Sequence, residues 1–171
     1  MTHAEIDSAR PPRRRIGAVV LVRDVEGRVL LVKPTYRHAD SASGWQLPGG
    51  GAHQGETVAG AAARELLEET GLVRRLTHFV ALDYVPAAAE GKSAEGYNVV
   101  CDGGTLTAAE ASGVAVPDSA ADELSACAWV GLDELGAHCF AYQERRIRAA
   151  VDAVEHANEL PLLVLGGPTI E

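Results

Sequence analysis

No apolar run in this 171-residue chain approaches the roughly 20 residues that cross a bilayer, so a membrane-spanning helix is excluded. Cysteine is scarce. Cys101, Cys127 and Cys139 are an odd set, and no two stand at metal-binding or redox spacing. They read as reduced thiols, buried or partly buried. Cys139 follows His138, but a nucleophile and its base must meet in space, and adjacency in sequence does not provide that. No export signal is recognised. Arg13, Arg14 and Arg15 precede the apolar stretch 16–22, yet that stretch is short, Arg23 and Asp24 follow at once, and no small-residue cleavage site comes next. The cytoplasm is therefore the expected location. Internal repeats and linkers are also lacking, and the length suits one domain with a substantial core.

Positive charge is in short supply. Fifteen Lys and Arg against 24 Asp and Glu give a formal net charge of −9. That balance argues against nucleic acid as a partner, because phosphate backbones are gripped by Lys and Arg. The arginines at 10, 13, 14 and 15 are a local exception, read as a solvated arm over residues 1–15 that precedes a domain at 16–171.

Hydrophobic patterning predicts a mixed α/β chain. The continuous apolar run 16–22 suits a strand covered on both faces, and 29–32 is its hairpin partner or neighbour. A polar loop over 34–44 leads to a short strand at Trp45, Gln46 and Leu47, stopped by Pro48 and followed by three glycines. A helix is expected from Glu56 or Thr57 to Thr70, ended by Gly71. Further strands are expected at 76–85, 97–101 and 127–130, and a last short one at 162–165. The stretch 105–121 reads as a helical turn followed by loop. Asp133 is expected to cap a short helix at 134–137, and Ile147, Val151 and Val154 mark an amphipathic helix over 142–158. Together these elements make one mixed sheet with helices packed on it.

The chemistry concentrates at 50–72. Glu65, Glu68 and Glu69 stand at i, i+3 and i+4, so a helix places them on one face, with Ala62, Ala63, Leu66 and Leu67 as the docking side. Carboxylates about 5 Å apart repel by ~3 kcal/mol at an effective dielectric near 20. A hard cation such as Mg²⁺ removes that penalty and bridges to phosphates. Taken alone, three glutamates are explained equally well as a solvated face. The preceding Gly49, Gly50 and Gly51 shift the balance, because glycine amides beside a helix start can receive phosphate oxygens.

The segment GGAHQGETVAGAAARELLEETGL, from Gly50 to Leu72, resembles the Nudix box, with every defining position filled. At average residue usage, nine such positions coincide by chance roughly once in ten million chains of this size. Weaker similarity extends to the paired strands before the box, to 45–48, and to 129–135.

The resemblance implies an α/β/α sandwich (α+β) with a mixed central β-sheet. It also implies a metal-dependent hydrolase that cleaves a diphosphate linkage, with Mg²⁺, or Mn²⁺ in its place, as cofactor. The substrate class is a small molecule in which a nucleoside diphosphate is linked to another moiety. Glu68 and Glu69 resemble the principal metal ligands, and Glu65 a further ligand or the general base. Gly49 resembles the residue whose carbonyl completes the metal shell. Arg64 and Glu56 resemble an orienting pair. Glu123, with Asp122 second, is the candidate for an acidic ligand from a distant loop. Gly50, Gly51, Trp45 and Tyr36 are the candidate substrate contacts, with Arg37, His38 and Tyr97 as further pocket candidates. Two other readings stand beside the hydrolase: a nucleotide-sensing module that binds without cutting, and a prenyl diphosphate isomerase, which needs a reactive cysteine in the pocket. An isologous homodimer is the default assembly.

Overall fold

The computed structural model describes residues 9–36 and 43–169. Strand β1 (Arg15–Asp24) and strand β2 (Val29–Pro34) form a hairpin. Its turn is held by the buried carboxylate of Asp24, which accepts from the Glu26 and Arg28 amides and from Arg28 Nε at 2.7 Å. The chain then runs through β3 (Gly49–Gly51), helix α1 (Val58–Thr70), β4 (His78–Val85), β5 (Gly96–Leu106) and α2 (Ala108–Ser112). It continues through β6 (Leu124–Val130), α3 (Leu135–His138) and α4 (Ala141–Glu155) to the short strands β7 (Leu160–Pro161), β8 (Leu163–Val164) and β9 (Gly167–Pro168).

Seven of these strands form one sheet, in the order β6-β2-β1-β5-β4-β7, with β3 also paired to β1. Strand β1 is the axis. It runs parallel to β5, while its other edge is divided: Gly17, Ala18 and Val19 pair antiparallel with β3, and Arg23 pairs with Val29 of β2. Beyond the hairpin, β2 leaves β1 and pairs antiparallel with β6.

The apolar run of β1 serves two cores. Ala18, Val20 and Val22 face α1 with Leu66, Ala61 and Ala62, while Leu21 faces α4 with Ile147, Ala150 and Val151. This is the α/β/α sandwich with a mixed central sheet, and the period of two along one strand builds both layers.

Several boundaries differ from the sequence expectation. The strand expected at Trp45–Leu47 is only a single bridge, Gln46 to Val32, and the ladder forms at the glycines instead. A Cβ on Gly49 would lie 2.3 Å from the Ala18 carbonyl oxygen, and its φ of +137° is closed to most residues, so glycine is what lets this strand approach β1. Strand β5 does not stop at Asp102. The ladder absorbs that segment as a register shift between Leu21 and Arg23 and continues to Leu106. Asp133 is not a helix cap; it lies inside a 3₁₀ turn (Leu132–Glu134) that leads into α3. The terminal strand pairs with β9 in a separate two-stranded sheet.

Helix α1 matches its expectation. Thr57 Oγ1 accepts from the Gly60 amide at 3.0 Å, and Gly71, at φ 73°, caps the other end. Its docking face does not match. Leu67 is 48% exposed, whereas Glu69 is 8% exposed and buried beside Leu66 and Ala62. Positions 62, 66 and 69 make the inward stripe, so one of the acids takes a core position.

Candidate active site

The three acids of α1 are graded by depth. The Glu68 side chain is 58% exposed and that of Glu65 17%, while Glu69 is buried. Strand β3 packs along them. The Gly49 amide donates to Glu69 Oε2 at 2.7 Å. The Glu65 carboxylate lies against Gly50, where a Cβ would stand 2.4 Å from Glu65 Oε1. The glycines therefore form a strand seated against the carboxylates.

Burial pushes the Glu69 carboxyl up to about 7. The Gly49 amide opposes that shift, and the negative charges of Glu65, Glu123 and Glu68 reinforce it. Glu123 thus lies within electrostatic reach of the buried acid although 54 positions separate them in sequence. Its position is fixed where the chain enters β6: the Thr35 amide donates to the Glu123 carbonyl at 2.8 Å, and Thr35 Oγ1 donates to the Asp122 carbonyl at 2.9 Å. The side chain of Glu123 is exposed.

Arg64 ties the outer acids together. Its Nε donates to Glu56 Oε1 at 2.9 Å, and Nη2 donates to Glu56 Oε2 and to the Gly51 carbonyl, each at 3.1 Å. Its Nη1 donates to Glu65 Oε1 at 2.8 Å and to Glu68 Oε2 at 3.2 Å. Only a planar guanidinium has enough fixed donors for this arrangement. The Arg64 fork, with the His53 amide at 2.9 Å, holds the Glu56 carboxyl down at about 2.

The donor set suits a hard divalent cation in its chemistry: oxygen ligands only, on one rigid helix, around a buried acid burdened by three like charges. Among the described residues, no three acids, histidines or cysteines are gathered closely enough to enclose one ion. Two of the acids turn instead toward Arg64.

On the far side of β3 lies a cleft of about 400 Å³. Gly49, Gly50 and Gly51 form one wall, and Arg15, Tyr36, Gln46, Asn98, Gln143 and Arg146 form much of the rest. Tyr36, a candidate substrate contact from sequence, lines this cleft. Trp45 does not line the cleft; it packs into the α4 core, edge-on to His138 at 5.9 Å between ring centres. Tyr97 meets Tyr84 at 5.6 Å, and it too is absent from the lining. Arg37 and His38 lie outside the described residues. Arg15, assigned from sequence to the arm, belongs to β1 and donates to Asn98 Oδ1 at 3.1 Å. The sequence reading missed Gln46, Asn98, Gln143 and Arg146. Gln143 did carry a signal, because it is a polar residue four positions before Ile147 on the apolar stripe of α4.

None of the cysteines lines the cleft. Burial pushes the Cys101 thiol up to about 12 and that of Cys139 up to about 11, and Cys127 is also raised by burial. A thiolate nucleophile is disfavoured at all three. In the native protein at pH 8, iodoacetamide should leave Cys101 and Cys139 intact, whereas all three should react in denaturant. Rapid native modification of either buried thiol, read by mass spectrometry, would contradict this and reopen the cysteine-dependent isomerase reading.

The family model described as NUDIX domain matches residues 13–151. An RNA pyrophosphohydrolase from Bartonella clarridgeiae is 43% identical over 68 residues, 37% of this chain and 38% of that protein. An octanoyltransferase from Myxococcus xanthus is 46% identical over 86 residues, 50% of this chain but 22% of that protein. The matched segment thus spans well under half the length of these relatives. The fold is shared with a MutT Nudix hydrolase from Burkholderia pseudomallei at 24% identity and TM-score 0.62, over 84% of this chain and 99% of that one. A C. elegans Ap4A hydrolase aligns at 19% identity and TM-score 0.60, over 83% and 98% of the two chains. With its family model covering most of the sequence, and its acids and glycines held on α1 and β3 of this sandwich, the chain belongs to the Nudix hydrolase family.

Proposed function

We propose that this chain hydrolyses a diphosphate linkage in a small molecule, a nucleoside diphosphate joined to another moiety, with a divalent cation. The observation that carries this reading is the buried Glu69 flanked by Glu65 and Glu68 and pressed against β3, with a cleft opening on the other side of the same strand. The 43% identity to part of an RNA pyrophosphohydrolase supports the class of bond cut.

Glu65, Glu68 and Glu69 would hold Mg²⁺ or Mn²⁺, with the Gly49 carbonyl and Glu123 completing the set. When bound, such an ion lowers the pKa of water and offsets charge on the diphosphate. The remaining work falls to the chain. A glutamate accepts the proton of the attacking water, and Glu65 or Glu69 fills that role. Arg64, anchored by Glu56, aims Glu65 and Glu68. The glycines let the substrate phosphates approach over β3. Phosphoryl transfer asks chiefly for positioning and charge stabilisation, which an all-acid site beside a narrow cleft can supply.

A substrate panel tests the reading. Nucleotide sugars, dinucleoside polyphosphates, ADP-ribose, NADH, CoA and nucleoside triphosphates are incubated with Mg²⁺ or Mn²⁺, and phosphorylated products are resolved by chromatography. At least one compound should be cut, and a chelator should stop the reaction. Tight binding with no turnover across the panel would favour a nucleotide-sensing module instead.

A further inference from the structure

On the α1 side, the helix layer is narrower than the sheet beneath it. Helix α1 packs on β1 and β3, and Val99 and Cys101 of β5 complete that core. The register carries the same face outward. On β4, Leu82 is the partner of Val99 and Tyr84 that of Tyr97, two positions before Val99 on β5. On β7, Leu160 stands opposite Phe79, which packs against the α1 core. Cross-strand partners share a face of the sheet, as do residues two apart on one strand. Leu82, Tyr84, Tyr97 and Leu160 thus form an apolar ledge beside α1, each between 44% and 59% exposed. The opposite face of the same strands is covered: Val80 and Val100 are buried in the α4 core, and Arg146 of α4 holds Asp83 at 2.7 Å.

We propose that this ledge is an isologous interface on which a second copy of the chain docks, ledge to ledge, with the two sheets face to face. Three observations select that occupant. The first is size. Four large side chains about half open leave on the order of 400 Å² of apolar surface, a patch of the extent that often marks a binding surface. Homodimer interfaces are roughly 65% apolar, so the ledge corresponds to about 600 Å² per partner, the lower end of what a stable dimer needs. The second is the supply of apolar chain. Outside the described residues, at 1–8, 37–42 and 170–171, the large apolar residues are Met1, Ile6 and Ile170, too few to cover the ledge from within this sequence. The third is charge. A net charge of −9 opposes self-association in general. Beside the ledge, however, Tyr84 Oη donates to Glu95 Oε2 at 2.6 Å, and Arg14 Nη2 pairs with Glu95 Oε1 at 2.8 Å. This rim carries one charge of each sign, so a two-fold brings no block of like charge together there. Two tyrosines meeting edge-on, 5.6 Å between ring centres, are also the residue type that interface centres favour.

The experiment is sedimentation velocity on the whole chain, from about 1 to about 100 µM, the range in which a small interface dissociates. Wild type should pass from monomer to dimer across it. Leu82→Lys and Tyr84→Lys should each raise the dimer Kd by at least about tenfold, because each lysine enters the interface twice. Val25→Lys, at an exposed apolar position in the β1–β2 turn, should leave Kd within about twofold. All three positions are open to solvent, and circular dichroism melts confirm that the variants fold. Salt adds an independent reading. An apolar interface between two acidic copies should hold at least as tightly at about 0.5 M salt as at about 0.05 M, since screening removes repulsion. A monomer throughout, whether or not another protein binds the ledge, overturns the proposal. So does a dimer that both lysines on β4 leave intact, one that Val25→Lys weakens equally, or one that salt dissociates.

Discussion

Glu69→Gln is expected to lower metal-dependent hydrolysis by about three orders of magnitude while the metal-free protein melts at the same temperature or higher. The two halves have one cause. Glu69 occupies a core position of α1, and its charge is disfavoured by burial and by three neighbouring acids. Gln keeps the shape, and its side-chain oxygen can still accept from the Gly49 amide, so the packing survives and the electrostatic burden is lifted. A residue kept for stability would not behave this way, whereas one kept to hold a cation would. Glu68→Gln should cost comparable activity with little change in melting, since its side chain is mostly exposed and shares Arg64 with two other acids. The measurements are turnover with Mg²⁺ and thermal melting in chelator. Near-normal turnover in both variants would defeat the assignment.

The second large effect distinguishes three adjacent glycines. Gly49→Ala should destabilise the fold by about 3 kcal/mol, because its Cβ meets the backbone of Ala18 and its φ is positive. Gly50→Ala should fold nearly normally but lose ten- to hundredfold in activity, by the rough scale for displaced supporting groups. There the obstruction is the Glu65 carboxylate, at the end of a flexible side chain that can swing away. Gly51→Ala should leave stability nearly unchanged, since nothing lies within 4 Å of its added methyl, so any loss of turnover there would come from the substrate side. Urea denaturation and turnover, measured side by side, check the series. A uniform response would mean that the three glycines act alike, against the different contacts that surround them.

That contrast shows where the sequence was legible. Spacing along α1 gathered Glu65, Glu68 and Glu69 onto one helix and marked Gly71 as its end, with the start left between Glu56 and Thr57, because helix periodicity and caps are local. It did not show that Glu69 points inward while Leu67 points out, since depth depends on what the helix packs against. Likewise the apolar run at 16–22 announced a strand covered on both faces, and β1 is one. Its partner β3 was misplaced onto Trp45–Leu47, because hydrophobic residues suggest strands and glycines argue against them unless another backbone must come close. The cleft lay furthest from view. Its wall joins residues from Arg15 to Arg146, and no pattern within a single segment brings them together.

The parallel pairing of β1 with β5 bears on how the protein comes to be made. Arg15 lies beside Gly96, about eighty residues later in the chain, and such distant pairings are slow to form. A growing chain that has emerged only as far as Gly71 already carries every acid of the α1 site. It lacks Val99, Cys101 and Leu106, which complete the core beneath α1. The arrangement of these acids against β3 is therefore a late product of folding: on the ribosome, the acids precede the packing that orders them.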